Sequence, residues 1–199
     1  MDIQIKRLEV GQMKANCYIV YDNSKNAIII DAGDDADYIT NTISDLDVTP
    51  KAIISTHGHF DHNMAALEIK LAYKIPFYIH KDDIFLLDRL AETSKYYVGF
   101  DPGPAPDPDF ILKGDAILEI NNFKFNVIHT PGHSPGSVSL YLPQANALFV
   151  GDVIFADGFV GRTDFSYADA QVLEKSVQRL RKLPIETTFF PGHGEAFSL

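Results

Sequence analysis

The segment Thr56-His57-Gly58-His59-Phe60-Asp61-His62 constrains this chain more than any other. Three imidazoles and a carboxylate stand within six residues. Such nitrogen and oxygen donors suit a borderline divalent ion such as Zn²⁺, Mn²⁺ or Fe²⁺. One ion rarely takes four ligands from so short a run. Gly58 is expected to let the loop turn so that His57 and His59 approach one ion, while Asp61 and His62 point to a second position. The segment follows a short apolar strand, Lys51–Ser55, and precedes a helical pattern, so it belongs at a strand end.

Further donors sit at later turns. His133 lies in Pro131-Gly132-His133-Ser134-Pro135-Gly136, Asp152 in Gly151-Asp152, and His193 in Pro191-Gly192-His193-Gly194. Each follows a strand-like run, which places it on a loop at a strand end, where α/β proteins carry their active sites. Five of the seven histidines fall in these motifs. His80 and His129 are the exceptions and read as structural.

Alternating and β-branched runs predict strands at Ile3–Leu8, Cys17–Tyr21, Ala27–Ile30, Lys51–Ser55, Pro76–Ile79, Ala116–Ile120, Phe123–Ile128, Val138–Leu142, Ala147–Val150 and Thr187–Phe190. Helical spacing predicts Asp34–Leu46, then Asn63–Lys74 with Met64, Leu67 and Leu71 in phase, then Lys81–Tyr97 with Ile84, Leu87 and Leu90 on one face. A last helix carries Leu173, Val177 and Leu180, with Ser166 and Asp169 as a start resembling a capping box. Gly99–Pro108 holds four prolines and two glycines and reads as a loop at the rim of a pocket. It is no domain linker, because motif residues on its two sides need each other. A length of 199 residues then suits a single catalytic domain over 1–199.

Charge bears on partners. The formal net charge is −10, from 17 basic and 27 acidic side chains. That argues against nucleic acid and anionic membranes, both of which need a basic surface. The single cysteine, Cys17, precludes an internal disulfide and a cysteine-based zinc cage, and reads as a buried small residue. The N-terminus Met1–Lys6 lacks an apolar signal core, and no run approaches the ~20 apolar residues of a membrane span. The expected setting is cytoplasmic, with a small-molecule substrate.

The ordered set Asn16-Cys17-Tyr18, Asp31-Ala32-Gly33, His57–His62, His133, Asp152 and His193 resembles the metallo-β-lactamase fold superfamily, and within it the glyoxalase II-like branch. The resemblance spans nearly the whole chain and implies an α/β fold, a four-layer αβ/βα sandwich. It also implies that His57, His59 and His133 hold one metal, and that Asp61, His62 and His193 hold a second. Asp152 would bridge them. The implied cofactors are two divalent ions, zinc first, with iron or manganese as alternatives. A hydroxide bridging the ions would attack the carbonyl carbon of an acyl thioester such as S-lactoylglutathione, with Asp61 and Asp152 as the catalytic carboxylates. The centre would then be cationic inside an acidic chain, which favours an anionic intermediate. Asp31 reads either as a turn carboxylate or as a group orienting a ligand histidine.

Gly161-Arg162-Thr163-Asp164-Phe165 resembles a motif of small glyoxalase II-like hydrolases and of persulfide dioxygenases. Arg162 matches a basic residue that binds the glutathione carboxylate, while its other reading is a turn contact with Asp164. Phe165, Tyr167 and Tyr141 read as core aromatics. Full-length glyoxalase II carries a C-terminal helical domain. This chain ends six residues after His193, so it resembles the short form. The alternatives are a non-haem iron persulfide dioxygenase using His57, His133 and Asp152, a lactonase of the same fold, and a metal-binding scaffold without activity.

Overall fold

The computed structural model describes residues 2–198. Met1 and Leu199, which bound the N-terminal and domain readings, lie outside the described residues. β1 (Ile3–Val10), β2 (Ala15–Asp22) and β3 (Asn26–Ile30) form an antiparallel meander. Beyond β3 the first sheet turns parallel. β4 (Thr49–Ile54), β5 (Phe77–His80) and β6 (Phe110–Leu112) add in order. The crossovers contain α1 (Ala36–Asp45), α2 (Ala66–Tyr73), α3 (Ile84–Leu87) and α4 (Leu90–Val98). In the second sheet β7 (Ala116–Ile120), β8 (Phe123–His129), β9 (Val138–Leu142) and β10 (Ala147–Gly151) run antiparallel. α5 (Ala170–Leu180) then leads to β11 (Thr188–Pro191), parallel to β10, and β12 (Phe197–Ser198) pairs beside it.

Strand alternation builds four layers from this order. Ile28, Ile30 and Ile54 of the first sheet face Phe125, Leu140 and Phe149 of the second. The other face of the first sheet, with Ile19, Ile29 and Phe77, packs on Ile39 of α1 and Ile69 of α2. The outer face of the second sheet, with Tyr141 and Leu148, packs on Leu173 and Val177 of α5. Ala27–Ile30 is apolar throughout because both of its faces are covered. The αβ/βα sandwich expected from the sequence is the observed one. No helix among the described residues is long and apolar enough to cross a membrane.

Several local expectations need correction. In α2 the buried residues are Ala66 and Ile69, whereas Leu71 is 65% exposed; two apolar stripes share that helix and the sheet takes the other one. The helix expected over Lys81–Tyr97 breaks at Asp88-Arg89, where Arg89 has φ −105° and ψ 7°. The break lets α3 pack on Gly58 while Tyr97 of α4 stacks on Phe60 at 5.7 Å. The cap of α5 is Asp169 itself, whose Oδ1 accepts from the backbone of Gln171 and Val172, so Ser166 is no cap. β6 and β12 carried no signal, being three and two residues long.

Phe149 is fully buried between the sheets, edge-on to Tyr18 at 5.2 Å and stacked on Phe190 at 5.2 Å. Phe149→Ala is expected to cost about 3–5 kcal/mol in urea unfolding. Leu71→Ala is expected to stay within about 0.5 kcal/mol.

Candidate metal centre

Every motif residue stands just past the C-terminal end of a strand. Asp31 follows β3, His57 follows β4, His133 follows the turn after β8, Asp152 follows β10 and His193 follows β11. The two sheets present these ends side by side. Val138 N–H donates to the Thr56 carbonyl at 2.9 Å, and Ala15 bridges to His193. Gly58 acts differently from the expectation. A Cβ there would lie 2.5 Å from the Asp83 carbonyl oxygen, so glycine is required for close packing and not for an unusual dihedral. Gly192 is held as tightly, since its Cβ would meet Asp152 Oδ1 and His62 Cε1.

Two donor clusters result. His59 Nδ1 lies 3.1 Å from His57 Nε2 and 2.9 Å from His133 Nε2. Asp61 Oδ2 lies 3.3 Å from His193 Nε2 and 3.7 Å from His62 Nε2. Each trio is compact enough to hold one ion. Asp152 stands between them, with Oδ1 3.5 Å from His62 Nε2 and Oδ2 3.6 Å from His133 Nε2 and 3.7 Å from His193 Nε2.

The second nitrogen of each histidine has a partner able to accept its proton. His57 Nδ1 donates to Thr56 Oγ1 (3.1 Å), His59 Nε2 to the Tyr167 hydroxyl (2.8 Å) and His133 Nδ1 to the Arg162 carbonyl (2.9 Å). His62 Nδ1 donates to Asp31 Oδ2 (3.1 Å), and His193 Nδ1 to the Lys14 carbonyl (3.1 Å). Five ring nitrogens therefore face inward, where a metal ion can take them as ligands. His62 Nε2 and Asp152 Oδ1 are buried and have no hydrogen-bond partner. Buried polar atoms in that state call for a ligand, and the chemistry of the set fits divalent cations.

Asp31 resolves toward orientation. It holds a left-handed φ of 55°, accepts from Thr56 N and Thr56 Oγ1 at 2.7 Å each, and so supports both His57 and His62. Electrostatics divide the clusters. Burial, then the neighbouring imidazoles, push His57 well below the usual histidine range, and burial and His133 bring His59 down to about 3. Burial also pushes His62 down, but Asp61, Asp152 and Asp31 together hold it at about 10. His57 and His59 are thus held neutral, while the carboxylates around His62 concentrate negative charge where a cation is needed.

Sequence reasoning missed three supports. Asp83 is buried and accepts from Gly58 N (2.9 Å), Gly136 N (2.6 Å) and Ser134 Oγ (2.6 Å). Asn63 donates to the carbonyls of His57 and His59. Asn16 donates to those of Pro191 and Gly194. The only sequence signal was Asn16, inside a motif that carried the family resemblance.

A cavity of about 960 Å³ opens over both clusters. Phe165 and Tyr167 line it, contrary to the core reading, while Tyr141 does belong to the core. Arg162 lines it too, but its guanidinium makes two bonds to Asp164 (2.9 and 2.7 Å) and lies 4.7 Å over the Phe165 ring. The Gly99–Pro108 loop is not the rim. Its Pro104–Pro108 stretch lines a separate small groove against Ile84 and Leu87, and the rim comes from α4 and residues 155–162. His80 and His129 stack at 4.7 Å and 19°, joining β5 to β8. Asp82 stands beside them, but rings so nearly parallel do not aim two lone pairs at one point.

With this geometry in place, the comparisons decide the family. A Metallo-beta-lactamase superfamily model matches residues 10–193. The chain belongs to the metallo-β-lactamase superfamily. Within it, the chain is 35% identical to the hydroxyacylglutathione hydrolase GloC of Haemophilus influenzae, covering 98% of this chain and 91% of that one. It is similar to the solved structure of the BLEG-1 B3 metallo-β-lactamase, with TM-score 0.92, 36% identity and coverage of 98% and 94%. It is also similar to TTHA1623 in a di-iron-bound form, with TM-score 0.88, 33% identity and coverage of 97% and 94%.

Tyr167 stacks on Phe165 at 5.2 Å, so Tyr167→Phe keeps the wall and removes only the acceptor for His59. Its metal affinity in chelator competition is expected to fall about 10-fold or more.

Proposed function

We propose that this protein is a dinuclear metal-dependent hydrolase of acyl thioesters. His57, His59 and His133 would hold one ion in this reading and Asp61, His62 and His193 the other, with Asp152 standing between the two trios as a shared carboxylate. The observation that carries it is the second, complete trio. A one-iron dioxygenase centre at His57, His133 and Asp152 does not use Asp61, His62 or His193. The di-iron-bound neighbour supports a pair of ions, and the hydroxyacylglutathione hydrolase relative supports thioesters with a hydroxyacyl group.

Divalent ions held in the two trios supply Lewis acidity, lowering the pKa of water toward ~7 and polarising a carbonyl oxygen. The chain does the rest. Asp31, Thr56, Tyr167 and the carbonyls of Lys14 and Arg162 fix the five imidazoles before substrate arrives. The cavity opens over both trios with Asp152 in its lining, which leaves room for the acyl carbon beside that carboxylate. A water oxygen bonds to that carbon, the C–S bond breaks, and the sulfur leaves with its electron pair and gains a proton. No side-chain nucleophile is required. Cys17 is fully buried, and that burial pushes its thiol far up. We place the enzyme in the cytoplasm, acting on a small molecule without nucleic acid or membrane partners.

Metal analysis of the purified protein is expected to find about two divalent ions per chain, zinc or iron. S-lactoylglutathione is expected to be hydrolysed, and activity to disappear on chelation and return with metal. Asp152→Ala is expected to lower kcat/KM by more than about 100-fold, beyond the range for residues outside the ligand set. Full activity in metal-free protein would sink the reading. Oxygen uptake with a persulfide and one iron per chain would replace it.

A further inference from the structure

We infer that the thiol half of the substrate is apolar, an arylalkyl or alkyl thiol, and not a carrier bound through its carboxylates or phosphates. This rests on the thioester-hydrolase reading and names its leaving group. The cavity mouth collects large apolar side chains that remain open to solvent, although Tyr97 also rests on Phe60 and Tyr96 on Tyr97. Met13 is 41% exposed, Tyr96 81%, Tyr97 46% and Val160 46%, and all four line this one cavity. Leu86 and Phe165 continue the apolar wall down to His59, whose ring lies 5.4 Å from Phe165. Contiguous exposed apolar surface marks a binding site.

The charges at the mouth point the same way. Two arginines line the cavity, and each already has a carboxylate. Arg162 is held by Asp164 through two hydrogen bonds and stacks on Phe165, and Arg89 pairs with Glu92 at 3.5 Å. To clamp a substrate carboxylate, Arg162 must first give up a two-point pair of the same kind. Glu92 and Glu195 line the cavity too, but Arg89 and Arg7 hold them, which leaves Asp157 as the lining acid of the mouth without a cationic partner among the described residues. A tetraanionic or dicarboxylate thiol finds no unpaired arginine or lysine among the described lining residues, while an uncharged hydrocarbon thiol meets aromatic faces.

The test uses the full chain loaded with metal and a set of lactoyl thioesters that differ only in the thiol: 2-phenylethanethiol, N-acetylcysteamine, glutathione and coenzyme A. The 2-phenylethanethiol ester is expected to show kcat/KM at least about tenfold above the glutathione ester, with the coenzyme A ester lowest. Tyr97→Ala is expected to narrow that ratio by raising KM for the arylalkyl ester. Asp164→Asn releases Arg162 and is expected to lower KM for the glutathione ester several-fold. Equal rates across the set, or a glutathione or coenzyme A ester preferred over the arylalkyl one, would overturn the inference and leave the thioesterase reading standing. Hydrolysis of none of the four by protein holding two ions would overturn both.

Discussion

The Asp83 carboxylate is the interaction on which the centre depends. It sits at the start of α3 and draws in Gly58 N, Gly136 N and Ser134 Oγ. Gly58 separates His57 from His59, and Ser134 follows His133. One buried group therefore fixes both loops that supply the first trio, one from each sheet. Burial pushes the Asp83 carboxyl up, and the three donors offset only part of that rise. Gly58 and Gly136 are glycines because a Cβ on either would collide with Asp83. Across the site, Asn16 and the Tyr18 hydroxyl hold the Pro191 carbonyl (2.9 and 2.5 Å) and so seat the His193 turn. The two sheets are clamped at the ends where their donors must meet.

The legibility of the sequence follows from how local each signal is. His57–His62 declares itself because its donors are adjacent in the chain. Strands such as Ala27–Ile30 and Val138–Leu142 are legible because burial on both faces leaves an unbroken apolar run. Leu71 misleads because periodicity shows that a helix has an apolar side but not which of two sides the sheet will take. Asp83 is invisible because nothing in Asp82-Asp83 separates a surface acid from one whose three partners lie 25, 51 and 53 residues away. Arg162 and Asp164 are close in sequence, yet only their side-chain geometry shows that the pair is closed.

These differences sort the molecule into two parts with different origins. The donors come from the ends of β4, β8, β10 and β11, within the strand frame that the superfamily match covers. The cavity walls come from α3, α4 and residues 155–167, which supply none of the donors. Reaction class and substrate class are therefore set by separate segments. The first can stay fixed while the second changes, which is the usual relation between a fold and the sites grafted onto it.

Tyr167 is where the two parts touch. Its ring belongs to the wall, stacked on Phe165 and edge-on to Phe85 at 5.4 Å, and its hydroxyl belongs to the centre, accepting from His59. Burial and the nearby Asp83 push that hydroxyl up to about 12, so it stays protonated through the neutral range. The other four imidazoles rest on backbone carbonyls or on the buried Thr56–Asp31 pair. A ligand that shifts the Phe165–Tyr167 stack therefore moves the acceptor that orients His59. Packing in the wall is in this way coupled to the geometry of the donor set, through one side chain.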